Sequence, residues 1–158
     1  MSQPEQRAIQ DQIRDNLCFG CGADNDQGLR IKSFWCGDES VCTWSPSAHH
    51  AAGPPHVLNG GILSTLIDCH AICTAIAAAY AAEGRAIGSE PPIWCVTGSL
   101  NVEYRRPTPI DRPVELLARV RETKGRKIWV DCTAMSGGVE VAIATVLAVR
   151  VAADWAGS

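Results

Sequence analysis

Asn59-Gly60-Gly61-Ile62-Leu63-Ser64-Thr65-Leu66-Ile67-Asp68-Cys69-His70 is the stretch on which the reading of this chain turns. A glycine pair opens a long apolar helix, and two turns later that helix carries one carboxylate, Asp68, among residues that belong in a core. The first N–H groups of a helix have no acceptor within it and, with the helix dipole, favour negative charge. Gly60 and Gly61 leave those groups uncovered by side chains. Packing does not require an Asp on such a helix. Amides able to hold an oxyanion, beside a poorly solvated carboxylate, point to acyl-transfer chemistry.

Working outward, the helix runs from Gly60 to about Ala82 and is apolar almost all round, so most of its surface should be enclosed. Asp68 and His70 interrupt it, which favours a core helix over a membrane span. Gly84 is a natural stop. Upstream, Leu29–Cys36 and Val41–Trp44 have the pattern of two short strands around the turn Gly37-Asp38-Glu39-Ser40. A loop rich in Pro, His, Ala and Gly separates them from the helix. Downstream, Ile93–Tyr104, Val114–Glu122, Lys127–Met135 and Val139–Val151 read as strands, the last three joined by turns at Lys124-Gly125-Arg126 and Ser136-Gly137-Gly138. Sequential strands predict an antiparallel meander with the one helix covering its apolar face. The fold class is therefore α+β, an antiparallel curved sheet wrapped around one long central helix. Residues 17–153 are expected to form a single domain, and the polar segment 1–16 to be frayed or loosely helical.

The chain has 158 residues, 20% of them charged, and a net charge of −3. That suffices for one core and excludes the basic footprint of a nucleic-acid binder. No charged start followed by an apolar run is visible, so a cytoplasmic protein with no membrane association is expected. Its eight cysteines then read as reduced thiols. Cys18-Phe19-Gly20-Cys21 is the one C-x-x-C pair. No second ligand pair at zinc-finger spacing accompanies it, so it is expected to be a tight turn packed on the core. Of four histidines, His49 and His50 are adjacent, His56 precedes the glycine turn, and His70 points some 200° around the helix from Asp68. None has a metal-ligand spacing, and no metal or cofactor is expected.

Three stretches together resemble the hotdog-fold acyl-CoA thioesterases, the superfamily that includes 4-hydroxybenzoyl-CoA and phenylacetate-pathway thioesterases. They are Cys18-Phe19-Gly20-Cys21-Gly22 with Asn25 and Gly28-Leu29, the Asn59-Gly60-Gly61 turn followed by Asp68, and Thr97-Gly98-Ser99-Leu100-Asn101-Val102-Glu103-Tyr104-Arg105-Arg106-Pro107. The likeness extends roughly from Cys18 to Val151. Two positions depart from the pattern: Asn59 stands where His is usual, and Gly53 where a side-chain amide is usual. Asn caps helices well and could support the turn, although it cannot titrate as an imidazole does.

The resemblance implies hydrolysis of an acyl-CoA thioester to free acid and CoA. Asp68 would act as general base or nucleophile, the Gly60 N–H would stabilise the oxyanion, and Thr97 would position water. Asn59 would support the turn and Gly61 and His56 would line the site. Arg105 and Arg106, with Arg126 in a hairpin that also holds Lys124 and Lys127, are the basic candidates for the CoA phosphates. Gly60 and Asp68 lie roughly 12 Å apart on one helix at 1.5 Å per residue. Reacting groups must approach to about 3–3.5 Å, so one thioester can meet both only if they come from different subunits. A homodimer with composite sites is expected, alone or paired into a homotetramer. Three alternatives stand beside hydrolysis: a non-catalytic module binding acyl-CoA or another apolar ligand, a hotdog dehydratase using His with a carboxylate, and a cysteine-based redox or zinc protein.

Overall fold

In the computed structural model, which describes residues 6–157, one helix lies across a six-stranded antiparallel sheet. The strands are β1 (Ser33–Trp35), β2 (Glu39–Trp44), β3 (Trp94–Tyr104), β4 (Val114–Lys124), β5 (Lys127–Ser136) and β6 (Val139–Val151), and the helix is α1 (Gly60–Ala82). The expected α+β class holds. Helix α1 starts at Gly60 because Asn59 caps it, its Oδ1 accepting the Ile62 N–H at 3.1 Å. It ends in a Schellman motif: Gly84 adopts φ +63° and donates to Ala81, while Arg85 donates to Tyr80, both at 3.0 Å.

Sheet order is β1-β2-β4-β5-β6-β3. The meander expectation therefore holds for β4, β5 and β6 and is corrected for β3. That strand pairs with β6 at the far edge instead of preceding β4 in the sheet. The segment between β3 and β4 contains Pro107, Pro109 and Pro113, which keeps it from making a tight hairpin. Alanines at 118, 134, 142, 144 and 148 are buried on the strands and let the helix approach closely; Leu63, Leu66, Ile67 and Ile76 fill the layer from the other side.

Two boundaries also change. Only Ser33–Trp35 of the segment 29–36 is a strand, because Arg30 takes a left-handed φ of +55° that a strand cannot continue. Leu29 and Ile31 instead donate their N–H groups to the carbonyls of Phe19 and Gly20. The N-terminal segment is not loose over its described part, 6–16. Ile9 is buried beside a single 3-10 turn at Gln10–Gln12 and donates to the Ser33 carbonyl. Residues 1–5 lie outside the described residues.

His70 belongs to a buried polar chain. Gln10 Nε2 donates to Ser33 Oγ at 2.9 Å, and Ser33 Oγ lies 2.8 Å from His70 Nδ1. His70 Nε2 lies 3.0 Å from the Ser40 carbonyl, which can only accept. The ring is thus a neutral Nε2–H tautomer with both nitrogens occupied, and burial lowers its pKa to about 4. A ring so committed, facing the sheet, cannot serve as a dehydratase base. Replacing His70 by Leu removes the donor to the Ser40 carbonyl and the acceptor of the Ser33 hydroxyl proton inside the core. A loss of about 2–4 kcal/mol in urea unfolding is expected.

Candidate active site

The glycine turn is held from two directions. Asn59 N–H donates to the His50 carbonyl at 2.9 Å, and Leu58 N–H to the Thr108 carbonyl at 2.8 Å. From β3, Tyr104 Oη donates to the Gly60 carbonyl at 2.7 Å. Among the described residues neither the Gly60 nor the Gly61 N–H has a hydrogen-bond partner. A cavity of about 410 Å³ opens there, lined by Gly60, Leu63, Tyr104, Arg105, Arg106 and Pro107 among others.

Asp68 faces a different cavity. Thr97 Oγ1 donates to its Oδ1 at 2.7 Å, and Oδ2 has no partner among the described residues. Burial raises the pKa of the carboxyl above the ordinary value, and the Thr97 hydrogen bond works the other way. The space beside it, about 250 Å³, is walled by Ile72, Ile76, Trp94 and Val96 and by a group of thiols. Thr97 reaches Asp68 at a β-bulge, where the β3–β6 register shifts between Thr97 and Ser99. Gly98 lies in the bulge, and a Cβ there would come within 2.9 Å of Val149 Cγ2. A glycine inside a strand pattern is a sign of such a bulge that the sequence reading did not use. Tyr104, half exposed against Gly60, was also missed.

The superfamily model for thioesterases matches residues 56–143, more than half of the chain and the whole stretch from the glycine turn past Pro107. The chain belongs to the thioesterase superfamily. A superfamily member of known structure, from Shewanella loihica PV-4, is 30% identical, with a TM-score of 0.61 over 77% of this chain and 91% of that one. The PaaI protein of the E. coli phenylacetic acid degradation operon shares the fold at 17% identity, with a TM-score of 0.63 over 78% and 81% of the two chains. Rat acyl-coenzyme A thioesterase THEM4 is 30% identical over 87 residues, 55% of this chain, but the match spans only 32% of that protein's length.

Within this superfamily member the candidate residues divide into groups. Asp68 and Thr97 meet directly. Gly60, Arg105 and Arg106 line the other cavity, with Asn59 and Gly61 at the turn. Arg105 is paired with Glu103 at 3.0 Å. His56 is exposed, and its main-chain carbonyl accepts from Ile110 at 3.0 Å, one of the bonds that tie its loop to 107–110. Arg126 is not brought to either cavity. Its hairpin closes over the other end of α1, where Gly125 shares a pocket with Ala78, Ala79 and Ala82.

Proposed function

We propose that the protein hydrolyses acyl-CoA thioesters at composite sites, Asp68 and Thr97 coming from one subunit and the Gly60 N–H from its partner. The observation that carries this is the pairing of Asp68 with Thr97. One carboxylate oxygen is oriented by the Thr97 hydroxyl and the other is left free beside an apolar space, as a general base or nucleophile needs. A thioester is activated enough for one carboxylate and an oxyanion donor to suffice. In one chain these two parts open on separate cavities, so a shared site supplies what each lacks.

Two surfaces support the dimer. Gly61 is exposed and Thr65, Asp68 and Ile72 are half-buried, forming one stripe along α1 beside the edge of the sheet. Beside it, β3 is an edge strand of 11 residues with Thr97–Asn101 exposed, an open ladder that a second copy can pair. The acyl group would lie along Ile72, Ile76, Trp94 and Val96. Arg105 and Arg106 would take the CoA phosphates.

Thiol release from a panel of aliphatic and aromatic acyl-CoAs tests the activity, with turnover expected. Saturable binding of the same compounds without turnover would instead favour the non-catalytic module. Arg106→Glu should raise KM about tenfold for acyl-CoA and leave a phosphate-free pantetheine-type thioester nearly unchanged. Equal effects on both would remove Arg106 from phosphate recognition.

A further inference from the structure

Five of the eight cysteines line the cavity beside Asp68, and all but Cys95 gather where the turn 18–21 meets α1. Cys18 and Cys21 come from the turn 18–21, and Cys69 and Cys73 stand one helical turn apart on α1, on the face that meets it. The Sγ atoms of Cys18, Cys21 and Cys69 lie within 4.8 Å of one another, with Cys18 and Cys69 at 3.6 Å. Cys73 Sγ lies 4.0 Å from Cys21 Sγ. Tetrahedral zinc with sulfur at about 2.3 Å sets its ligands about 3.8 Å apart. The Cys18–Cys69 and Cys21–Cys73 separations fall on either side of that value.

The turn is shaped for this approach. A Cβ on Gly20 would lie 2.3 Å from Cys69 Sγ, and one on Gly22 would lie 2.4 Å from the Asn16 carbonyl. No side chain fits at either position while the turn sits against the helix. Asn16 braces it from below, its Oδ1 accepting the Cys18 N–H at 3.1 Å and its Nδ2 reaching Cys21 Sγ at 4.0 Å. The N–H groups of Gly20 and Cys21 have no partner among the described residues, which leaves them available to negative sulfur. Phe19 and Gly20 carbonyls are in turn held by Leu29 and Ile31. Four free thiols gathered from two elements exceed what packing of small apolar side chains needs. Three of them lie mutually at soft-ligand spacing and Cys73 adjoins Cys21, a set that suits a thiophilic d10 cation and that carboxylate- or water-seeking ions do not fit.

We infer that Cys18, Cys21, Cys69 and Cys73 form a tetrathiolate site for a zinc-like cation. Binding releases the four S–H protons to solvent and changes no oxidation state. Its role is structural: the cation fastens the turn 18–21 to α1, and thereby fixes one wall of the cavity that Asp68 faces. The site does not depend on the protein being a thioesterase, because its readouts are metal content and spectrum.

The 158-residue chain, purified under reducing conditions and loaded with zinc alone, should hold about one zinc per chain after gel filtration. Cobalt in its place should give the sulfur-to-metal charge-transfer band and intense visible bands of tetrahedral thiolate coordination. Cys18→Ser with Cys21→Ser should abolish stoichiometric zinc and the cobalt bands. Cys132→Ser, a buried thiol outside the group, should retain both. Since a double variant at the core can fail to fold, Cys18→Ala at the exposed member gives a second arm, with zinc affinity lowered at least tenfold. Reduced wild-type protein that takes up no stoichiometric zinc, or cobalt bands that survive the double substitution, would overturn the assignment.

Discussion

Asp68→Asn should lower kcat for acyl-CoA hydrolysis by about a thousandfold while the protein stays folded, this being the usual range for loss of a positioned general base. The argument for such a clean separation lies in the local geometry. Asn keeps the size of Asp, and its Oδ1 still accepts the Thr97 hydroxyl, which now stands 2.7 Å from the carboxylate. Only the basic or nucleophilic oxygen is lost. Burial raises the pKa of Asp68, so ionising it costs the folded state free energy at any pH above its own pKa. A neutral Asn avoids that cost. The urea midpoint of Asp68→Asn should therefore equal or exceed that of wild type, a stability–activity opposition expected at a catalytic carboxylate. Full activity in the folded variant would remove Asp68 from the reaction. Thr97→Val should cost less, about tenfold, since it orients a group without supplying the chemistry.

Gly60→Pro should remove hydrolysis by about 10²–10³-fold, as loss of one oxyanion donor does elsewhere. Gly60 is the first helical residue after its Asn59 cap, a position where proline is tolerated and its missing N–H breaks no helical bond. Asn59 already has φ −57° and ψ 128°, the conformation that precedes proline readily. The companion Gly60→Ala keeps the N–H, and its Cβ would meet Tyr104 at an ordinary 3.5 Å, so nearly full activity is expected. Mixing inactive Asp68→Asn and Gly60→Pro proteins then tests sharing. If subunits exchange at random, half of the dimers are mixed and one of their two sites is intact, giving about a quarter of wild-type activity. No recovery after verified exchange would place both groups within one subunit's site and exclude the composite arrangement.

Much of this was legible along the chain because it rests on short-range chemistry. The Gly-pair start, the Gly84 stop and the apolar run delimit α1 without reference to any other element, and the helix spans Gly60–Ala82 as read. Turns at Gly125 and Gly137-Gly138 locate the hairpins of β4, β5 and β6 in the same way. Thr97 enters only through the family likeness, as a residue that positions water, and its hydrogen bond to Asp68 is not foreseen. Nothing in spacing 29 residues apart could deliver it, and a bulge at Gly98 is what brings it about. Asn59 could be judged from helix-cap preference alone, and its capping bond to Ile62 bears that out.

What lay beyond the sequence was every placement set by long-range partners. Taken singly, Cys18-x-x-Cys21 lacks a second ligand pair; Cys69 and Cys73 become that pair only when the turn folds onto α1. The position of β3 beside β6 is decided by which apolar faces can be covered at once and by a proline-rich connection too stiff for a hairpin. By itself the sequence determined the elements, their order and their amphipathic faces, since propensity, capping and periodicity act between residues a few positions apart. Only the tertiary structure decided which edge β3 occupies, that the glycine turn and Asp68 open on separate cavities, and that four distant thiols meet, because those outcomes depend on packing the whole core at once.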